Sequence, residues 1–395
     1  MKWTTKPLAE VADFCLGKML DDKKNKGEAL PYLANINVRW GEIDLENLRE
    51  MRFEHDEMDR YGVKYGDIVM CEGGEPGRCA IWKDTVPGMM IQKALHRIRP
   101  HDFLDHRFLY YSFLHKGRTG RFAPLFTGAT IKHLPREKLA KVEIAFPGLD
   151  LQRRISDILS AYDDLIENNR RRMALLEDAA RQLYREWFVR LRFPGHEHTR
   201  IANGVPEGWE GKSLGDLCRE VRESVSPESL EADTPYIGLE HIPRRSISLS
   251  EWGTAEQVTS SKHRFREGEV LFGKIRPYFH KVGIAFVDGV ASSDAIVIRP
   301  IEPKLRGFVL MTVSSDPFVA VTAQTMREGS KMPRADWKQM QDYPTPLPPD
   351  GLLGSFESAI QLVVEQLKSL TFANQKLRTA RDLLLPRLMR GQIVV

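Results

Sequence analysis

The sequence predicts a mixed α/β (α+β) protein built as a tandem repeat, two globular domains each followed by one long helix. Three observations predict it: a long amphipathic stretch in mid-chain, a second at the end, and an internal repeat that joins them.

The first stretch runs from Leu151 to about Phe188, uninterrupted by Pro or Gly. Its apolar residues Ile155, Leu159, Tyr162, Ile166, Met173, Leu176, Ala180 and Leu183 recur at threes and fours, one stripe of an α-helix. At ~1.5 Å per residue such a helix is roughly 57 Å long, well beyond the ordinary globular range. Arg153, Arg154, Arg170, Arg171 and Arg172 decorate its other faces. A narrow stripe on so long a helix needs a partner helix. The segment Leu352 to Gln392 supplies one, with Phe356, Ile360, Val363, Leu367, Leu370, Leu377, Ala380 and Leu384. A shift of about 201 residues lays Ile155 on Phe356, Leu159 on Ile360 and Leu176 on Leu377. Packing of the pair is expected to rest on Leu159, Tyr162, Ile166, Leu176 and Leu183, against Ile360, Val363, Leu367, Leu377 and Leu384.

The repeat continues into the globular parts. Pro31-Tyr32-Leu33 matches Pro235-Tyr236-Ile237, Gly66-Asp67-Ile68-Val69 matches Gly268-Glu269-Val270-Leu271, and Arg99-Pro100 matches Arg299-Pro300. Short β-branched runs bounded by Gly or Pro predict strands at Asp67–Cys71, Cys79–Trp82 and Ala94–Arg99, and at Val270–Phe272, Val282–Phe286 and Ala295–Arg299. Short amphipathic helices follow near Phe108–Leu114 and Leu305–Val313. The Pro- and Gly-rich segment from Phe193 to Pro206 reads as a linker, and Pro344 to Gly351 as a second boundary. The resulting division is 1–150, a globular domain; 151–193, a helix; 194–208, a linker; 209–350, a second globular domain; and 351–395, a second helix.

With 395 residues, 42% hydrophobic, 28% charged and a net charge of +4, the chain has the composition of a soluble protein that is not basic throughout. Cys15, Cys71, Cys79 and Cys218 have neither metal-ligand spacing nor disulfide density, which fits a reducing cytoplasm. The N-terminus has no apolar signal core, and no run approaches the ~18 apolar residues of a membrane span.

Catalytic motifs fail on inspection. Gly211-Lys212-Ser213 resembles the end of a phosphate loop, but Pro206 stands where its first glycine belongs. Glu210-Gly211-Lys212 lacks the acidic strand of a nuclease metal site, and His196 and His198 lack further ligands. No methyltransferase tetrapeptide and no S-adenosylmethionine glycine loop occurs. No catalytic or metal residue is therefore expected. Nucleic-acid binding has better support. Basic and hydroxyl side chains cluster in matched loops: Arg78, Thr130, Lys132 and His133 in the first half, Lys274, Arg276, Tyr278, Lys281, Ser330 and Lys331 in the second. Such side chains hold phosphates and read base edges. Any one of them, taken singly, is better read as a solvated loop residue; their recurrence at matched places favours the functional reading for the group.

The stretch Asp163-Asp164-Leu165-Ile166-Glu167-Asn168-Asn169-Arg170-Arg171-Arg172, with Tyr184-Arg185-Glu186-Trp187-Phe188 and Phe193-Pro194-Gly195, resembles the specificity subunit of type I restriction–modification systems. Arg381-Asp382-Leu383-Leu384-Leu385-Pro386-Arg387-Leu388 and the loop Thr127-Gly128-Ala129-Thr130-Ile131-Lys132-His133 are similar to that family as well. The resemblance implies two α/β target-recognition domains and an antiparallel, coiled-coil pairing of the helices. It implies that each domain reads one half of a bipartite double-stranded DNA site, that the helices set the spacer, and that they dock methyltransferase subunits. It further implies two modification subunits using S-adenosylmethionine, restriction subunits using ATP and Mg²⁺, no cofactor in this chain, and a prokaryotic cytoplasm. Two other readings compete: a single-chain methyltransferase or nuclease with tandem recognition domains, and a coiled-coil adaptor without DNA contact.

Overall fold

The computed structural model describes residues 3–21, 25–202, 204–324, 333–393 and 395. The chain forms two compact units, Met1–Ile166 with Lys376–Val395, and Glu167–Gln375.

In the first unit, strands Ala12–Leu16, Leu95–Pro100, Ile68–Cys71 and Cys79–Ile81 form an antiparallel sheet in that order. Alternate residues of one strand face opposite ways. Ile68 and Met70 therefore join a core under helix His106–Arg118, with Phe108 and Phe113, while Val69 and Cys71 join a second core with Leu33, Trp82 and Ile91. That second core is shared with a smaller sheet, in which Glu28–Leu33 pairs antiparallel with Arg49–Phe53 and parallel with Met90–Ile91.

The second unit repeats this plan. Cys218–Val221, Ala295–Pro300, Val270–Gly273, Val282–Ala285 and Ser248–Leu249 form its main sheet. Pro235–Ile237 pairs antiparallel with Gly253–Thr254 and parallel with Gly289–Ala291 in the other. Registers correspond: Ile98 lies opposite Ile68, and Ile298 opposite Val270. The six strands expected from sequence form within a residue or two of their predicted ends.

The matched acidic residue in the Gly-Asp and Gly-Glu motifs has one role in both units. Asp67 accepts hydrogen bonds from the Lys64 N–H at 2.8 Å and from the Arg99 guanidinium at 2.7 and 2.6 Å. Glu269 accepts from the Arg266 N–H at 2.9 Å and pairs with Arg299. Each carboxylate closes a turn and neutralises an arginine on the neighbouring strand.

The first long helix is Leu149–Tyr184, followed by a π-helical turn at Arg185–Val189. The second is Asp350–Met389. They pair antiparallel. In the first unit Ile155 and Leu159 share a core with Leu385, Leu388 and Met389; in the second, Ala180 and Tyr184 share one with Leu353, Phe356 and Ile360. Leu159 thus packs with the end of the second helix, and its relation to Ile360 is one of repeat position alone. Among the residues expected to pack the pair, Leu159, Ile166, Ile360 and Leu367 are buried, and Tyr162, Leu176, Leu183, Val363, Leu377 and Leu384 are half-buried. Near the C-terminus Leu385 and Leu388 take the fully buried places.

The compact units divide inside the long helices, not at the domain boundaries drawn from sequence. The cause is the packing just described: each globular part rests on the start of its own helix and the end of the other. Polar side chains of the helices take part. Gln152, buried, accepts from the Asp105 N–H at 2.8 Å, and Ser156 donates to the Asp105 carboxylate that caps helix His106–Arg118. In the second unit Glu357 replaces Ser156 and itself accepts the Gly307 N–H at 2.7 Å, at the start of helix Arg306–Val313. Burial raises the Glu357 carboxyl above its ordinary range.

Candidate nucleic-acid interface

In each unit the main-sheet hairpin carries a loop, residues 72–78 or 274–281, and two other loops meet it. In the first unit Gly73 bridges to His133, and the Glu72 carbonyl accepts the Leu134 N–H at 2.7 Å. In the second, Ile275 bridges to Arg334, and the Lys274 carbonyl accepts the Ala335 N–H at 2.9 Å. The third loop follows strand Glu28–Leu33 in the first unit and strand Pro235–Ile237 in the second. Arg78 donates to the Asn35 carbonyl at 3.0 Å, and the Lys281 ammonium donates to the Leu239 carbonyl. The backbones agree, since Arg78 and Lys281 accept the N–H groups of Cys71 and Gly273 at 2.7 and 2.8 Å. One three-loop cluster is therefore built twice, from residues that match in the repeat.

The candidates divide into anchors and free groups. Arg78 is largely buried and also paired with Glu75, so it ties loops together. Lys281 has the same task. Lys274 donates to the Ser293 carbonyl at 3.1 Å and lies 3.8 Å from Glu220. Burial lowers the ammonium groups of both lysines below their ordinary range. His133 has Nδ1 at 3.1 Å from both Glu72 carboxylate oxygens, which holds its ring against the hairpin. Thr130 and Lys132, by contrast, are exposed on the loop that reciprocal backbone bonds between Thr127 and His133 close. Gly128 is required in that loop: its φ is +91°, and a Cβ would stand 2.1 Å from the Ile131 carbonyl oxygen. Arg276 and Tyr278 are exposed on the second hairpin. Ser330 and Lys331 lie outside the described residues.

Two participants escaped the sequence reading. Asn35 contributes its carbonyl to Arg78 and its amide to the Gly73 carbonyl at 3.4 Å. Arg244 is exposed, with its guanidinium 4.1 Å from the Phe279 ring centre. The Arg244-Arg245 pair was a visible signal, but nothing in the sequence places it beside a hairpin that begins some thirty residues later. Among the described residues no three His, Cys, Asp or Glu side chains gather as a metal site would need, and no helix is long and apolar enough to cross a membrane. The cluster offers exposed cations, hydroxyls and an aromatic edge on anchored loops, a chemistry suited to phosphates and base edges.

Residues 1–178 match the family model described as the type I restriction modification DNA specificity domain. Over 347 residues the chain is 24% identical to the type I restriction enzyme MjaIX specificity subunit of Methanocaldococcus jannaschii, covering 84% of this chain and 78% of that protein. It is 22% identical to the EcoDI specificity subunit of Escherichia coli over 61% of this chain and 59% of that one. The crystal structure of the type I restriction–modification S subunit from M. genitalium shares the fold, with a TM-score of 0.56 at 17% identity, over 98% of this chain and 96% of that one. The first 178 residues thus match a type I restriction modification DNA specificity domain, and the chain as a whole has the fold of the M. genitalium S subunit.

Proposed function

We propose that this chain is the non-catalytic DNA-reading subunit of its complex, each unit reading one half of a bipartite site. The observation that carries the reading is the twofold construction of one loop cluster, anchored by the same bonds at Arg78 and Lys281 but carrying different exposed side chains. A constant frame with variable tips suits two different sequences read by one protein. The length of the long helices would set the spacer. Their exposed apolar residues, Leu165 and Leu383 in one unit and Leu175 and Leu362 in the other, would meet two modification subunits. S-adenosylmethionine would act in those subunits, and ATP with Mg²⁺ in restriction subunits. The working compartment is the prokaryotic cytoplasm.

A domain exchange tests the reading. Residues 1–150 are replaced by the corresponding domain of a relative, and the hybrid is expressed with modification subunits. Mapping methylated adenines should show one half-site changed and the other kept. Binding of the assembled complex should weaken with salt, with a log–log slope of about −0.9 per phosphate neutralised. An exchange that rewrote both half-sites, or binding indifferent to salt, would overturn the reading.

A further inference from the structure

The two hairpins differ at two backbone positions. In the first unit Gly74 and Gly77 have φ of +80° and +88°. The shared bridges and the bonds to Arg78 and Lys281 align these glycines with Arg276 and His280, whose φ values are +49° and +53°. An L side chain is disfavoured there, since its Cβ crowds the backbone, and glycine is the ordinary occupant. Such residues persist where something else holds them or uses them.

His280 has a structural use. It is buried, and its Nε2 lies 2.8 Å from the Ser314 carbonyl oxygen, with Nδ1 3.5 Å from Asp316. Arg276 has no such use. Its backbone N–H donates to the Pro333 carbonyl at 3.0 Å, which glycine would do equally well. Its guanidinium is exposed and, among the described residues, has no carboxylate partner; it lies 5.9 Å from the centre of the Phe279 ring. The same ring carries Arg244 at 4.1 Å, and exposed Tyr278 meets it edge-on at 5.0 Å. A flexible lysine reaches a phosphate from many directions. A contact that depends on direction is what a fixed, unfavourable backbone conformation can serve. The planar fork of arginine matches the N7 and O6 acceptors of guanine, a pairing that depends on direction.

We propose that Arg276 reads a guanine in the half-site of the second unit, and that Arg244, held on Phe279, holds an adjacent phosphate. The proposal rests on the DNA-reading function above and adds a residue and a base to it.

The test uses the complex with its modification subunits and a duplex library randomised across the second half-site. Arg276→Gly removes the guanidinium and relieves the backbone. Its melting temperature should equal or exceed the parent's, while preference for one G·C pair falls roughly five- to 150-fold. Arg276→Lys keeps the charge and should lose the same preference. Arg244→Ala should weaken all sequences alike and reduce the salt slope by about one. The first half-site should not change. Retention of the guanine preference by Arg276→Gly would overturn the proposal, as would a melting temperature lowered by Arg276→Gly, since either gives Arg276 another role. Failure of the DNA-reading function itself would show separately, as a parent complex with no sequence preference.

Discussion

Phe356→Ala is expected to destabilise the second unit by about 3–5 kcal/mol, the range for removing a fully buried aromatic ring. Phe356 has 0% exposure and lies amid Phe188 at 4.7 Å, Trp187 at 5.9 Å, Tyr184 at 6.3 Å and Phe308 at 6.4 Å between ring centres. These rings come from the end of the first long helix, the start of the second, and the short helix of the globular part. One truncation therefore opens a cavity at the junction of three elements. Packing of this kind relaxes only in part, so the lost contacts add to the lost burial. At roughly 2–4 °C per kcal/mol for a unit of this size, the corresponding calorimetric transition should fall by about 6–20 °C. Leu362→Ala, on an exposed face of the same helix, is the control and should change it little. Equal effects from the two would show that the aromatic cluster does not hold the helices to the unit.

That cluster also marks how far the sequence could be read. Apolar spacing located both long helices and their buried faces, because a period of three and four follows directly from helix geometry. Spacing has no direction, however. Matching Leu159 to Ile360 found equivalent places in a repeat, and only the fold shows that Leu159 shares a core with Leu385 and Leu388. Polar residues on a buried face were illegible for another reason. Gln152, Ser156 and Glu177 look like surface in a sequence, yet each is buried with hydrogen-bonding partners from elsewhere in its unit. The candidate site divides in a similar way. Basic loops were legible by composition, but whether a cation anchors or reaches out depends on the carbonyl it finds. Arg78 and Lys281 find Asn35 and Leu239; the Arg276 guanidinium finds none among the described residues. The strain at Arg276 is a property of φ, which residue type alone does not reveal.

Arg381→Met should cost the first unit several kcal/mol, toward the lower end of the 3–5 kcal/mol typical of breaking a buried ion pair. Arg381 has 11% of its side chain exposed and pairs with Asp163; it also binds Asp382 at 2.9 Å, and Asp382 is paired in turn with Arg118. The Tyr111 hydroxyl donates to Asp163 at 2.7 Å, and burial, reinforced by that carboxylate, pushes the phenol well above its ordinary range. Methionine fills much of the arginine volume, so the loss should come from charge more than from packing. Two carboxylates would remain, and Asp163 would keep the neutral Tyr111 phenol in place of its cation. Asp163 keeps 29% of its side chain exposed, and water reaching it moderates the cost. The double variant Asp163→Asn with Arg381→Met removes both charges and should recover a large part of the loss. Chemical denaturation of the four proteins gives the coupling energy directly, and a value above about 1 kcal/mol is expected. A coupling near zero, with Arg381→Met as stable as the parent, would place this network among surface ion pairs that contribute almost nothing.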